Sequence, residues 1–300
     1  MLFLARFILK GQSQAALVAA TMAIVGLIVP PAAWISAAAI VLMTLVHGPK
    51  SGLITTALSS LGAAIFSYMI FATPQVAVIF VLLAWLPAWL IAMILRQTVS
   101  LAYSLQVLTA FSLLAVVLIY SLFPNFGELW REPLDHMVNE LARQSDEFSL
   151  AELQQTQDWV IEFLPGLFAS SIMFGTMLSL FLGRWWQAAF YNPGGFGKEF
   201  QRLNLGKISA LVAIAIMLLA MLANSVFVIA LVTVVFVLYG MQALSILHAT
   251  IKIRQWNATW LLVIYLIMLF IPQLLLLLIL ASFADPWLDI RQRIRLSVSK

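Results

Sequence analysis

Residues 208–250 read ISALVAIAIMLLAMLANSVFVIALVTVVFVLYGMQALSILHAT, 43 residues without one Asp, Glu, Lys or Arg. As one helix, rising ~1.5 Å per residue, this run is about 65 Å long. That is over twice the ~30 Å thickness of a bilayer's hydrocarbon core. The run therefore reads as two membrane spans that turn near Asn224 and Ser225.

The rest of the chain agrees. Of 300 residues, 63% are hydrophobic and 9% charged, against roughly 45–50% and about 25% in soluble proteins. Mean hydropathy is +1.04. A soluble fold of this size has no core able to hide so much apolar surface, which excludes a soluble enzyme, a nucleic-acid binder and a disordered scaffold. The net charge of +4, 16 Lys and Arg less 12 Asp and Glu, needs no nucleic acid, since basic loops on one side of a membrane produce it. There is no cysteine, so disulfides and thiolate chemistry are excluded. The apolar runs are continuous rather than alternating, so the spans are helices and not barrel strands. Residues 1–30 resemble a signal peptide, with Arg6 and Lys10 ahead of an apolar run. Further apolar segments follow without pause, and a retained first helix is expected.

The expected fold is an all-α polytopic transmembrane bundle of eight or nine spans. Spans are placed at about 12–29 and 32–46, divided by Pro30 and Pro31, then at about 52–72, 75–95 and 100–122. A sixth follows at about 165–183, two lie within 208–250, and the last covers about 257–283. Three parts result: an N-terminal five-helix half (1–123), an acidic insert (124–164), and a C-terminal half (165–300) with a Gly-rich loop at 184–207. The insert holds nine carboxylates (Glu128, Glu132, Asp135, Glu140, Asp146, Glu147, Glu152, Asp158, Glu162) against Arg131 and Arg143, or −7. Apolar residues recur there at helical spacing, Pro133 suits a first helical position, and Ser149 with Glu152 forms a capping box. Two amphipathic helices on the membrane surface or over the bundle mouth are predicted.

Charge sets the expected orientation. A cytoplasmic N-terminus puts Lys50, Arg96, the 184–207 loop, Lys252 and Arg254 inside and the acidic insert outside, in a bacterial inner membrane. Nine spans would then leave the basic tail (Arg291, Arg293, Arg295, Lys300) outside, against the same rule. Three explanations stand open: a tolerant tail, a final segment that is not a simple span, or a span miscounted.

No catalytic constellation is visible, and neither enzyme activity nor a cofactor or metal is expected. His47, His136 and His248 lie on different segments. Asn192, Pro193, Gly194, Gly195 and Phe196 form a glycine-rich motif in the basic loop without a Walker lysine pattern, for which a turn between two helices is the favoured reading. Trp85 and Trp89 stack on one helix face around Pro87 and are candidates to wall a flat or apolar ligand, with ordinary packing as the plainer alternative. Gln106, Asn224, Gln242, Ser245, His248 and Gln273 complete the polar residues in or near spans. Interhelical hydrogen bonding is their default role. Ala15 with Ala19, and Ala16 with Ala20, offer a small-residue face for close helix approach.

Two stretches carry a resemblance. Arg184-Trp185-Trp186-Gln187, Tyr191 to Phe196 and Glu199-Phe200 form one; Gly240 and the downstream run Ala284 to Arg291 form the other. With the helix count, they make the chain similar to the YybS-like family of bacterial multi-pass membrane proteins over nearly its whole length, which implies a membrane class but no mechanism. Over about residues 10–122, the alanine-rich first helix, the proline break and Gly48-Pro49-Lys50-Ser51-Gly52 resemble substrate-binding subunits of energy-coupling-factor transporters. That resemblance implies that Ala15, Ala16, Ala19 and Ala20 dock on a membrane coupling subunit.

The expected function is a substrate-binding or permease-like subunit for a small apolar or aromatic solute, held near Trp85, Trp89 and Gln106 beneath the acidic insert. The alternative is a structural or scaffolding subunit of an envelope-assembly complex, with the acidic insert as its docking surface. The partners implied are the lipid bilayer, a membrane protein and a small molecule.

Overall fold

The computed structural model describes residues 1–144 and 149–298; Asp146, Glu147 and Lys300 lie outside the described residues. The chain is an all-α polytopic bundle, with no strand among the described residues. Seven helices are long and apolar enough to cross a membrane, or eight with one sharply bent pair counted as a span.

A short helix α1 (Leu2–Ile8) precedes α2 (Gln12–Gly26), α3 (Pro30–His47) and α4 (Pro49–Phe71). Pro30 and Pro31 start α3 rather than ending a helix, because the first turn has no use for their missing N–H groups. The first expected span is shorter than anticipated: α2 has 15 residues, or about 22 Å. Gln12 at its start bonds Ser51 at the start of α4, and the Ser36 hydroxyl of α3 reaches the Ala19 carbonyl midway along it.

The next span is α5 (Gln75–Phe80) and α6 (Leu86–Thr98), joined by a wider π turn over Val81–Trp85. Pro87 follows directly, and a turn that skips a residue accommodates its missing donor. Helix α7 (Leu101–Leu122) then leads through a tight turn to the amphipathic α8 (Arg131–Gln144).

The insert and the sixth span are not separate helices. Helix α9 (Leu150–Tyr191) runs 42 residues without interruption, about 63 Å, from the predicted capping box, where the Ser149 hydroxyl accepts from the Glu152 amide and the Glu152 carboxylate from the Ser149 amide. Proline normally breaks such a helix by stranding the carbonyl four residues earlier. Here Pro165 strands that of Ile161, and Gly127 packs its bare Cα against that carbonyl; a Cβ at Gly127 would lie 2.0 Å from it. The Tyr120 hydroxyl donates to the next carbonyl, Glu162.

Beyond α9 come α10 (Gly195–Gln201), α11 (Gly206–Ala223) and α12 (Val226–Ile253). The turn between α11 and α12 falls where expected, with Asn224 in the left-handed region at φ 41°. The core forms around α3 and α12, with α9 passing between and touching both. At Gly183 the close approach of α9 to α3 leaves no room for a Cβ, 2.5 Å from Val41 Cγ1. Large apolar side chains cover the outside, Met221 and Leu222 being over 80% exposed, as lipid rather than water requires.

The last expected span is a hairpin. The chain bends by 111° between helices α13 (Thr259–Phe270) and α14 (Pro272–Leu288), because Pro272 donates no amide and holds Ile271 out of helical geometry. Helix α13 leaves from the Lys252 end of α12. Helix α14 returns to that end, where the last helix, α15 (Ile290–Val298), puts Arg291 against Ser245 and Leu203. The segment thus enters and leaves on one face, which resolves the conflict over the basic tail: α15 shares the face of the 184–207 loop. Because the chain has no cysteine, single substitutions test this directly. Lys50→Cys, Arg254→Cys and Arg293→Cys are expected to react with an impermeant maleimide from one side of the membrane, and Glu140→Cys from the other. Labelling of Arg293→Cys together with Glu140→Cys would show α13 and α14 crossing.

A polar clasp and its groove as the candidate functional site

Between α10 and α11 the chain leaves helical geometry at residues 202–205, yet Leu203 and Leu205 are 2% and 3% exposed. Side chains from distant helices supply the partners this backbone needs. Gln106 on α7 donates to the Leu205 carbonyl at 2.6 Å. The Gln242 amide on α12 works at both ends, its oxygen accepting from the Leu205 N–H and its nitrogen donating to Ser282 on α14, each at 2.9 Å. Ser245 donates to the Phe200 carbonyl at 2.7 Å. Arg291 donates to the Leu203 carbonyl at 2.6 Å, to Ser245 at 3.0 Å and to Asp285 at 2.9 Å, while the other Asp285 oxygen accepts from the Ile290 N–H.

Gln106 thus joins Gln242 and Ser245, which lie one turn apart on α12, around one stretch of backbone. His248, one turn beyond Ser245, lies against Phe200 and bonds the Tyr265 hydroxyl instead. The ion pair of Asp285 and Arg291 was missed, although Asp285 is the one carboxylate in the apolar run 257–288. Its signal is faint, because Asp289 adopts a left-handed φ of 43° that folds Arg291 back onto it.

Beside the clasp, α7, α11 and α12 bound a groove of about 460 Å³. Leu113, Val212 and Leu238 wall it, and Gln106, Thr109, Lys207 and Ser209 are the polar side chains of its lining. Ile208 and Val212 are exposed at its rim, so it opens towards lipid. This composition, apolar with a few convergent polar groups, is that of a small-molecule site.

The two tryptophans do not join Gln106. Trp85 is fully buried, its Nε1–H donating to Ser36 at 2.9 Å, and Ser36 in turn donating to Ala19. Trp89 donates to the Pro49 carbonyl at 2.8 Å, and its ring edges a second, apolar groove of about 390 Å³ between α6 and α7. Both indoles thus staple α6 and its π turn to α3 and α4. The alanine face is also occupied: Ala15, Ala16, Ala19 and Ala20 are buried, and α2 packs on α3 and α4 of this chain. At the glycine-rich motif, Asn192 ends α9, Pro193 and Gly194 turn the chain, and Gly195 starts α10. Phe196 packs on Phe181 and Phe200, so the motif is a turn between helices.

The acidic segment forms a platform of α8 on the first turns of α9. Arg131 pairs with Glu128 and Asp158, its hydrogen bond holding the Glu128 carboxyl below the usual carboxylate range, and Gln157 donates to Asp135. Among the described residues no group of three or more His, Asp or Glu converges as a metal site.

No protein-family model, no curated protein and no solved structure matches the chain.

A buried charge left without its partner costs more than removal of the pair, typically about 3–5 kcal/mol. Arg291→Leu, which strands the Asp285 carboxylate, is expected to lower the Tm of the detergent-purified protein more than Asp285→Leu combined with Arg291→Leu. Equal losses would show that the ion pair carries no weight in the clasp.

Proposed function

We propose that this chain is a substrate-binding or permease-like subunit of a bacterial inner membrane, with its N-terminus in the cytoplasm, that takes a small, largely apolar or aromatic solute. The observation that carries the reading is the groove between α7, α11 and α12. Its ~460 Å³ lies in the range of small-molecule sites. Leu205 and Gly206, where the chain enters α11, close its end at the basic face. On this reading the solute sits beside Gln106, Thr109 and Ser209 rather than beside Trp85 and Trp89. The resemblance to YybS-like proteins remains part of the reading and adds neither site nor substrate.

The test is a thermal-shift screen of the detergent-purified protein against indole, benzoate, phenylalanine and short-chain fatty acids. At least one is expected to raise Tm by about 2 °C or more, through preferential binding to the folded state. Leu113→Trp, which fills this groove, removes the shift, and Leu82→Trp, which fills the neighbouring one, leaves it. A shift that survives Leu113→Trp overturns the assignment.

The acidic platform favours a second reading, an envelope-assembly scaffold that docks a basic partner. Glu132 and Glu140 are exposed there, with Trp130 and Trp159 among them. On this reading Glu132→Lys with Glu140→Lys abolishes co-purification of that partner while membrane insertion continues. Retention of every partner rules the platform out as the docking surface.

A further inference from the structure

The basic face holds a second pocket, of about 220 Å³, that plays no part in the clasp. Lys198 from α10, Arg202 just beyond it, Lys252 from the end of α12 and Arg295 from α15 surround it, over a floor of Ala249 and Ile253. Among the described residues none of the four cations enters an ion pair; of the nearby carboxylates, Glu199 pairs with Arg184, Asp285 pairs with Arg291, and Asp289 accepts from the Gln292 N–H at the start of α15. Four like charges held around one cavity repel each other. Three separate elements bring them there, α15 only because the α13–α14 hairpin returns it to this face.

The height of the pocket selects among anions. It sits where α12 leaves the apolar zone, two residues short of Arg254, which stacks on Trp256. Trp256 and Trp260 lie against each other, about half exposed, as side chains of a membrane–water boundary do. An anion bound here has its charge at headgroup depth and apolar side chains directly beneath. We propose that this pocket binds the phosphate headgroup of an anionic phospholipid, and a two-phosphate lipid in preference to a one-phosphate lipid. Basic pockets between spans on the cytoplasmic side are suited to this chemistry. The inference is independent of the solute groove, since no residue lines both.

The test uses the full chain in a neutral detergent, titrated with cardiolipin, dioleoylphosphatidylglycerol, dioleoylphosphatidylcholine or inorganic pyrophosphate, with bound molecules counted by native mass spectrometry. Cardiolipin is expected to bind most tightly, phosphatidylglycerol next, and phosphatidylcholine and pyrophosphate at least tenfold more weakly. Raising salt from about 0.1 to 1 M, which shortens the screening length from about 10 to 3 Å, weakens both anionic lipids. Combining Lys198→Gln, Arg202→Gln and Lys252→Gln lowers cardiolipin affinity tenfold or more. Combining Arg6→Gln, Lys10→Gln and Lys50→Gln, an equal loss of exposed charge on the same face, changes it less than twofold. The single exchange Lys252→Glu repeats the test at one exposed position should the triple variant fold poorly. Equal losses in the two triple variants would make the effect general attraction to a basic face and overturn the site. Pyrophosphate binding as tightly as cardiolipin through the same residues would make the ligand a soluble phosphate and overturn the lipid.

Discussion

Buried backbone that leaves helical geometry must find partners inside the protein, because each N–H or C=O left unmet there costs up to several kcal/mol. Leu203 and Leu205, buried in the loop between α10 and α11, meet that constraint on the basic face. Their partners come from Gln106 on α7, Gln242 on α12 and Arg291 in the tail, and Ser245 on α12 holds the neighbouring Phe200 carbonyl. Gln242 also holds Ser282, so α14 is tied in by the same amide. The groove beside α11, the return of the hairpin and the seat of α15 all depend on that small set of bonds.

The clasp also separates two kinds of polar residue within the spans. Thr44, Thr55, Thr56, Ser59, Thr109, Ser112, Thr176 and Ser179 donate to the carbonyl four residues earlier in their own helix. Such groups satisfy themselves and leave their methyl or methylene surface for packing. The longer amides and the Trp85 indole cannot close that short loop, so they reach across to other helices and fix where those helices sit. Trp85 acts through Ser36 on Ala19, which joins the π turn to α3 and α2. The same bonds explain why an aromatic pair that looks like a ligand wall is part of the frame.

Much of this was legible beforehand. The turn at Asn224, the capping box at Ser149 and the split of the chain into an acidic and a basic face follow from local rules of backbone, capping and charge. The continuity of α9 through Pro165 was not legible, because it depends on Gly127 and Tyr120 arriving from another segment to meet the disturbed carbonyls. Nor was the fate of the alanine face, since small-residue spacing reports that a helix can be approached closely and not which helix approaches it. Nor was the partner of Gln106, for Leu205 is far from it in sequence and Trp85 and Trp89 are near.

By itself the sequence determined the solvent. A chain that is 63% hydrophobic with uncharged runs of this length has no stable arrangement in water, and its helices follow from the need to bond every peptide group in lipid. It also determined which face is basic, since charges cannot easily cross. The number of crossings, the partners of the buried amides and the gathering of Lys198, Arg202, Lys252 and Arg295 around one pocket were decided only by tertiary structure. The reason is physical: hydropathy and charge act on each segment alone, whereas a hairpin bend, a shared hydrogen bond and a cluster of cations exist only once segments far apart in sequence are side by side.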